Sequence, residues 1–528
     1  MATRLTIGTG RSSLLQVVCL SVLVGSSVLF AKELKAYPAA ELIAAESDLM
    51  DSGPLASESL QISDRRFRFH GTNPSAESLI AEDSYQDASE AEVLPTLALP
   101  VGWNLNDAFS TPSWLTLSAS ILSQNNGTIS GLANPQFTSS NLLNFGFRLS
   151  PFSGPDSHLT GGTDSPRQGV DYGSHFSSKI AINGLLTQRI GNILSSYIPN
   201  QLNTQWNFGN GPVGRLGFLN IEYKDERNFV SMLKLGKLMQ AQDFTMNPVQ
   251  CYFSNFGFCG WAQGTPSMID IPGNPFNSYG GVVAFGPSDT LNFRYGIYQV
   301  APATFAPELH GFDFRFNQGI GFAQFAELRI PVDKNSQLPV LHDHKTNITK
   351  SSTLEEANML YQSLLPPGTI TFGGWLGSGD FPTVADPSIN QSTNNGAYGI
   401  ISLRIPNFFL GLDNRVFASA GLGLSAEVQQ FRSGGNAGVV IAGVLPQRPF
   451  DTLSLGMSYA SYNQDYYLPG LDAESFTPNT EFALEANYSI NISQNTRLMP
   501  NIQIILNRGG DQSSQPAIVG GLQIWYLF

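Results

Sequence analysis

The segment Gly521-Leu-Gln-Ile-Trp-Tyr-Leu-Phe528 indicates how this chain folds. Leu522, Ile524, Tyr526 and Phe528 fall at every second position, and successive side chains of a β-strand point to opposite faces. The spacing therefore predicts a β-strand with one apolar face and an aromatic side chain at its end. Such a face must either pack on a core or meet lipid.

The same alternation recurs upstream, from about Trp114, in short runs separated by Gly, Asn, Pro, Asp and Ser clusters. Large apolar residues alternate with small or polar ones in Asp451–Tyr462, Glu481–Ile490, Tyr398–Ile405 and Leu291–Tyr298. A soluble β-sandwich also alternates, but it shows charged side chains to bulk water. Because the second face here is rich in Gly and Ser, as in a wet lumen, we predict an all-β fold, a transmembrane antiparallel β-barrel.

The last strand carries a further signal. Its aromatic end at Tyr526 and Phe528 resembles the C-terminal strand by which outer-membrane barrels are recognised for assembly. A closing strand must face lipid and pair with the first strand, so that no edge is left open. We therefore expect these two residues to form the assembly signal, with the outer-membrane assembly machinery as a partner.

Composition agrees with a barrel. Charged residues make up 13% of the chain, about half the usual share for a soluble domain, while aromatic residues reach 11% and there are 52 glycines. After the N-terminus, no window is apolar for long enough to predict a membrane helix. No basic patch is present, so nucleic acid is not an expected partner.

The N-terminal region divides into two parts. Arg4 and Arg11 precede the uncharged apolar stretch Leu14 to Phe30, which predicts a signal peptide over residues 1–31, with a retained membrane anchor as the alternative. Residues 32–109 are acidic and lack alternation, which predicts a mostly flexible periplasmic lead or a plug. The barrel is expected over residues 110–528, a length that allows roughly 14 to 18 strands at ~10 residues each plus connections.

Cysteine usage also fits export. Once the signal peptide is removed, Cys251 and Cys259 remain, and two cysteines in an oxidising compartment predict a disulfide. The segment between them is too short for the usual zinc pattern. His342 and His344 flank Asp343 in a long polar segment, but we expect no metal there and no cofactor.

Several stretches, in this order, resemble one known family. They are Leu235–Phe244 followed by Cys251–Gly260, Leu365–Gly368 with Phe372–Gly379, Gln447–Asp451, and Glu481–Tyr488 with Met499–Gly510. The family is that of carbohydrate-selective porins of the OprB type, and the resemblance covers roughly residues 115 to 528. The chain departs from the family pattern at Arg508, where a proline is usual.

The resemblance implies a barrel of about sixteen strands in the bacterial outer membrane. Small neutral sugars would diffuse passively through its constricted pore, and the segment between Cys251 and Cys259 would form an external loop. The alternatives are a porin for other solutes, a structural or adhesive barrel, or an enzymatic barrel. We expect no enzyme, because none of the six histidines has an adjacent nucleophile motif. The resemblance leaves open whether the chain forms a homo-oligomer.

A sugar pore needs carboxylates as hydrogen-bond acceptors and arginines as planar donors. Charged residues on or beside the non-lipid face of a strand are the candidates: Asp243, Arg294, Glu327, Arg329, Arg404, Arg415, Arg448, Asp451, Glu481 and Glu485. We favour Arg448 and Asp451 because the resemblance falls on them. The alternative is that such charges pair along the wall, away from the narrowest point. Trp261 and Trp375 are candidates for sugar stacking, although packing is the more common role of barrel tryptophans.

Overall fold

The structure is a computed structural model of the 528-residue chain. It describes residues 105–112, 114–150, 180–198, 200–207, 211–225, 228–247, 249–259, 268, 276–286, 291–316, 319–332, 365, 368–405, 413–445, 448, 450–465, 479–493 and 495–528. The predicted signal peptide, most of the acidic lead, Trp261 and the segment with His342 and His344 lie outside the described residues.

Sixteen strands of the described residues close into one antiparallel barrel, as predicted. The strands are β1 (Leu115–Ser130), β2 (Phe137–Leu149), β3 (Ile180–Gly191), β4 (Gly214–Lys224), β5 (Val230–Leu238), β6 (Ser278–Phe285), β7 (Asn292–Val300), β8 (Gly321–Pro331), β9 (Thr369–Pro382), β10 (Asn390–Arg404), β11 (Asp413–Gly423), β12 (Phe431–Ala442), β13 (Thr452–Tyr462), β14 (Thr480–Asn491), β15 (Thr496–Leu506) and β16 (Ala517–Leu527). Each strand pairs with its sequence neighbour, and β16 pairs with β1, where Gln124 lies opposite Gln523. Closure leaves no strand edge open to lipid.

Helices are short in the part of the chain that the structure describes. They are α1 (Leu105–Phe109), α2 (Gln240–Asp243) and 3₁₀ turns at Leu194–Ser196, Gln250–Tyr252, Pro302–Phe305, Pro307–Leu309 and Arg508–Gly510. Among the described residues, no helix has the length and apolar character needed to cross a membrane.

The two faces of the strands follow the predicted alternation. On β13, Thr452, Ser454 and Ser458 are fully buried inside the barrel, while Leu455 between them is 43% exposed on the outer face. The outer wall carries many large apolar side chains: Ile121, Leu143, Phe145, Ile182, Leu186, Ile221, Leu233, Leu235, Phe293, Ile297, Phe372, Leu376, Leu422, Leu455, Ile502, Leu522 and Ile524. This outer band suits lipid and the polar inner face suits a wet lumen.

The barrel has two ends, which differ in their connections. We call the end where β1 begins and β16 finishes the terminal end. The connections β3–β4, β5–β6 and β7–β8 leave from the opposite end, and they carry the segments on which the site is built.

Candidate functional site in the barrel lumen

Two segments of the chain fold into the lumen. The first lumen segment is residues 200–207 of the β3–β4 connection, and the second lumen segment is residues 249–259 of the β5–β6 connection. They bind each other, since the N–H of Phe256 donates to the carbonyl of Asn203 at 2.7 Å. Because both also contact inward-facing side chains of the wall, they narrow the lumen.

Side-chain amides hold the first lumen segment against β1 and β2. The Gln205 amide donates to the carbonyl of Gln124 at 2.8 Å and accepts from the Thr138 hydroxyl at 3.0 Å. The Asn126 amide donates to the carbonyl of Thr204 at 2.9 Å. Amides suit this position because each one offers both a donor and an acceptor to a neutral partner.

Glu481 on β14 holds the same segment from the other side. Its carboxylate is fully buried and accepts the backbone N–H groups of Gln201 at 3.1 Å, Leu202 at 2.7 Å and Gly509 at 2.6 Å. The Tyr462 hydroxyl donates a fourth hydrogen bond at 3.1 Å. Hydrogen bonds to a charged acceptor are about twice as strong as neutral ones, so Glu481 fastens the segment to the wall.

Glu485, two inward positions further along β14, does the same for the second lumen segment. Its two oxygens accept the backbone N–H groups of Ser254 and Asn255, both at 2.8 Å. The Asn487 amide donates to it at 2.8 Å, and the side chain is only 3% exposed. One carboxylate thus satisfies two buried backbone donors that water does not reach.

Aromatic rings pack the second lumen segment onto β11 and β13. Phe253 and Phe258 stack with ring centroids 4.2 Å apart, and Phe253 meets Phe417 edge-on at 5.6 Å. The two stacked rings lie over Gly456, where a Cβ atom would come within 2.8 Å of Phe258 and 2.9 Å of Phe253. Glycine at that position therefore allows the close approach of ring and wall.

The predicted disulfide is confirmed, and it belongs to the second lumen segment. Cys251 and Cys259 are bonded across a sequence separation of 8 residues. The segment implied as an external loop leaves the barrel at the end opposite the termini and then folds inward, where its rings and backbone contact inward-facing side chains such as Glu485 and Phe417. There its buried backbone donors find a partner in Glu485 and its aromatic rings find one in Phe417.

Removal of the disulfide is expected to loosen the second lumen segment without opening the barrel. The double variant Cys251→Ser/Cys259→Ser releases a loop constraint worth about 2 to 3 kcal/mol for this separation. We expect more current noise and a broader spread of single-channel conductance. Dithiothreitol should produce the same change in the unmodified chain and none in the variant. Identical recordings from oxidised and reduced protein would contradict the role of the bond.

A network of opposite charges runs along the inner wall from β2 to β8. Arg148 pairs with Glu222 at 2.9 Å, and Lys234 joins Glu222 at 3.7 Å to Asp243 at 2.7 Å. These three strand residues and Asp243, at the end of α2, thus form one connected network.

The network of opposite charges continues through two arginines and a third carboxylate. Arg294 and Arg329 both donate to the backbone carbonyl of Asp243, at 3.2 Å and 2.8 Å, and Arg329 also pairs with Glu327. Glu327 accepts the N–H of Thr245 at 2.9 Å and the hydroxyl of Tyr398 at 2.7 Å. We call the seven charged residues the ionic belt: Arg148, Glu222, Lys234, Asp243, Arg294, Glu327 and Arg329.

Solvent reaches part of the ionic belt. The exposed side-chain fractions are 19% for Arg329, 13% for Lys234 and 12% for Glu222, whereas Glu481 and Glu485 are covered by the lumen segments. Because these belt residues face inward and are not covered, they border the open part of the lumen. Their guanidinium and ammonium groups can donate to hydroxyls, and their carboxylates can accept from them.

Two predicted arginines form a separate cluster on β10 and β11. Arg404 and Arg415 both donate to Asp413, at 2.8 Å and 2.6 Å, and Arg415 also donates to the carbonyl of Leu365 at 3.2 Å. Arg415 is only 1% exposed. This cluster therefore ties the connection between β8 and β9 to the wall.

Arg448 and Asp451, the favoured pair, lie at the β12–β13 turn of the terminal end. Asp451 accepts from Arg448 Nε at 2.8 Å, from the N–H of Asn491 at 2.9 Å and from the hydroxyl of Tyr488 at 3.2 Å. The hydrogen bond with Asp451 raises the pKa of the Arg448 guanidinium. Asp451 is buried while the Arg448 side chain is 41% exposed, so the pair fastens a turn and only Arg448 meets solvent.

The structure also describes the aromatic residues that the sequence singled out at Trp375 and at the C-terminal strand. Trp375 is 4% exposed and packs on Phe325 with ring centroids 6.5 Å apart. Tyr526 meets Phe528 at 4.6 Å, and the N–H of Phe528 donates to the carbonyl of Ala119 on β1. Phe528 thus joins the seam of the barrel, and its role in assembly stays a prediction.

Sequence reasoning missed several members of the ionic belt and of its surroundings. Arg148, Glu222 and Lys234 all occupy inward positions of alternating strands, so the same rule would have found them in the less regular runs before about residue 240. Tyr298 and Tyr398 carry no charge, and nothing in the sequence indicated that their hydroxyls would donate to Asp243 and Glu327.

Comparisons with known proteins give the family of the chain and relatives of its fold. The family model of the carbohydrate-selective porin, OprB family, matches residues 200–528. The structure of OprB from Pseudomonas putida is similar with a TM-score of 0.61 at 16% identity, covering 79% of this chain and 94% of that one. OmpF of Salmonella typhi gives a TM-score of 0.44 at 12% identity, covering 78% and 97%. No curated protein matches the chain.

Proposed function

This chain belongs to the OprB family of carbohydrate-selective porins, and on that premise we propose that sugars cross its lumen along the ionic belt. The protein is a porin of the bacterial outer membrane, through which small carbohydrates diffuse passively. Its family and fold are those of a channel rather than an enzyme. The belt is the part that gives this channel a specific path.

The single observation that supports the proposal is the alternation of charges along the accessible inner wall. A neutral sugar carries hydroxyls that donate to Glu222 and accept from Lys234, Arg294 or Arg329. A free ion meets both signs of charge within a few ångströms, and the resulting transverse field disfavours its passage.

The lumen segments give the belt its narrow channel. Both are fastened to β14, by Glu481 and Glu485, on the wall across the lumen from the belt. We propose that these two carboxylates act as positioning residues and that Arg294, Arg329, Lys234 and Glu222 contact the sugar. Self-association of the barrel and recognition by the assembly machinery are proposals that rest on the family and on the strand ending in Phe528.

Sugar titration of the unmodified channel tests this function. With purified protein in a planar bilayer, single-channel conductance should fall saturably as glucose or maltose is added, because a bound sugar displaces the hydrated ions that carry current. Glycerol at equal osmolarity is the control for viscosity and should give a linear decrease only. Conductance that is indifferent to both sugars would leave a porin but exclude carbohydrate selectivity.

A further inference from the structure

A row of polar side chains interrupts the lipid-facing side of the barrel. Lys237, Tyr279 and Gln299 lie on the adjacent strands β5, β6 and β7, all at the end opposite the termini. They share the outer face with Leu235, which is 54% exposed, and Ile297, which is 41% exposed. Polar donors at such positions need partners, because lipid offers none.

The β7–β8 connection supplies those partners from outside the barrel. We call residues 310–316 the strap. The ammonium group of Lys237 donates to the carbonyl of Asp313, the hydroxyl of Tyr279 to that of Phe314 at 2.5 Å, and the amide of Gln299 to that of Phe316 at 2.5 Å.

The strap also shelters the lysine and reaches β4. The ammonium group of Lys237 lies 4.7 Å from the ring of Tyr279 and 5.6 Å from that of Phe314, and the residue is only 4% exposed. The carbonyl of His310 accepts the N–H of Leu216 at 2.9 Å. The strap is therefore bonded to four neighbouring strands along the outer wall.

Three phenylalanines of the strap are exposed on the outside of the barrel. Phe312 and Phe314 are each 51% exposed and Phe316 is 60% exposed. Phe316 also meets Phe322 of β8 at 6.1 Å, so this aromatic surface continues into the lipid-facing band below. Arg315, which lies between Phe314 and Phe316 in the sequence, pairs with Asp313 at 2.7 Å. This ion pair adds no net charge to the aromatic surface.

We propose that the strap is a lipid-docking surface that sits at the boundary between headgroups and acyl chains. It converts a row of lipid-facing donors into an aromatic surface, and aromatic rings favour this depth of the membrane. The occupant follows from continuity: the same face of β5 to β8 is already covered by lipid further down the wall. This inference rests on the location in the outer membrane and not on sugar selectivity.

Nitroxide labels test the depth of the strap. A label is attached at Phe314→Cys in the full chain, reconstituted in vesicles of phosphatidylethanolamine and phosphatidylglycerol. Leu235→Cys on the lipid-facing wall and Ser388→Cys, on the exposed β9–β10 turn at the same end, are the matched references. Phe316→Cys gives an independent strap position if the first variant folds poorly. Unchanged conductance verifies that each labelled barrel is intact.

Power saturation by oxygen and by a water-soluble nickel chelate then gives the outcome. We expect the label at position 314 to be relaxed mainly by oxygen, as at position 235 and unlike position 388. Preferential relaxation by the nickel chelate would place the strap in water and overturn the proposal. Protection from both reagents with dipolar broadening between labels would overturn it too, since a second copy of the chain would then be the occupant.

Discussion

Replacing Glu485 by alanine is expected to raise the single-channel conductance and to weaken the block by sugars. The change removes the acceptor of two buried backbone N–H groups, of Ser254 and Asn255, and each unsatisfied donor costs about 1 to 3 kcal/mol. A total of about 2 to 6 kcal/mol is enough to shift a segment from a bound to a released population. Planar-bilayer recording at fixed salt measures the change.

Two matched variants separate this effect from general damage to the barrel. Glu485→Gln keeps one acceptor oxygen but turns an amide donor toward the other N–H, so an intermediate conductance is expected. Leu484→Ala changes the outer face of the same strand and should leave conductance unaltered. If folded Glu485→Ala barrels conduct like the unmodified protein, the second lumen segment does not set the pore size.

The double variant Arg294→Gln/Arg329→Gln is expected to raise the half-saturating glucose concentration by roughly thirtyfold to 150-fold. A hydrogen bond from a charged donor contributes roughly 1.5 to 3 kcal/mol and one from a neutral donor roughly 0.5 to 1.5 kcal/mol, so exchanging two guanidinium groups for glutamine amides loses about 2 to 3 kcal/mol. The belt holds four cationic and three anionic side chains, a formal net charge of +1, which becomes −1. Ion selectivity should therefore shift toward cations.

Reversal potentials in a salt gradient and glucose titrations measure both effects on the same channels. Arg315→Gln is the control, because it removes an exposed guanidinium outside the lumen and should change neither quantity. An unchanged glucose concentration at half-saturation, in channels of normal conductance, would show that sugars do not contact these arginines. A changed reversal potential alone would mean that the belt acts on ions only.

The sequence was sufficient to predict the wall of the barrel, because alternation is a local property. It placed Glu481 and Glu485 on the inner face and Leu455 on the outer one, and both placements are confirmed. It also indicated the disulfide. The run Ser231–Gln240 alternates imperfectly, because Lys237 falls on the same face as Leu233 and Leu235. The structure gives the reason: Lys237 faces outward and donates to Asp313 of the strap, 76 residues further along the chain.

The contents of the lumen could not be predicted in this way. Glu481 accepts from Leu202 across 279 residues of sequence, and Glu485 accepts from Ser254 across 231 residues. No local sequence pattern specifies which distant backbone N–H groups will donate to a carboxylate. An inward-facing charged residue therefore has the same sequence pattern whether its partner is a sugar or a loop. The family resemblance singled out Arg448 and Asp451 as sugar-binding candidates. It did not indicate that the two residues would pair with each other to hold a turn.

The first lumen segment has a consequence for the kinetic stability of the closed sheet. It bonds to Asn126 on β1, Glu481 on β14 and Gln503 on β15, and so bridges the strands on either side of the β1–β16 seam. Unzipping of the barrel from this seam must break those interior bonds together with the ladder between the strands. Interactions that are present in the native state and absent from the transition state slow unfolding, and they leave the folding rate unchanged. A segment that narrows the pore thereby also lengthens the lifetime of the native barrel.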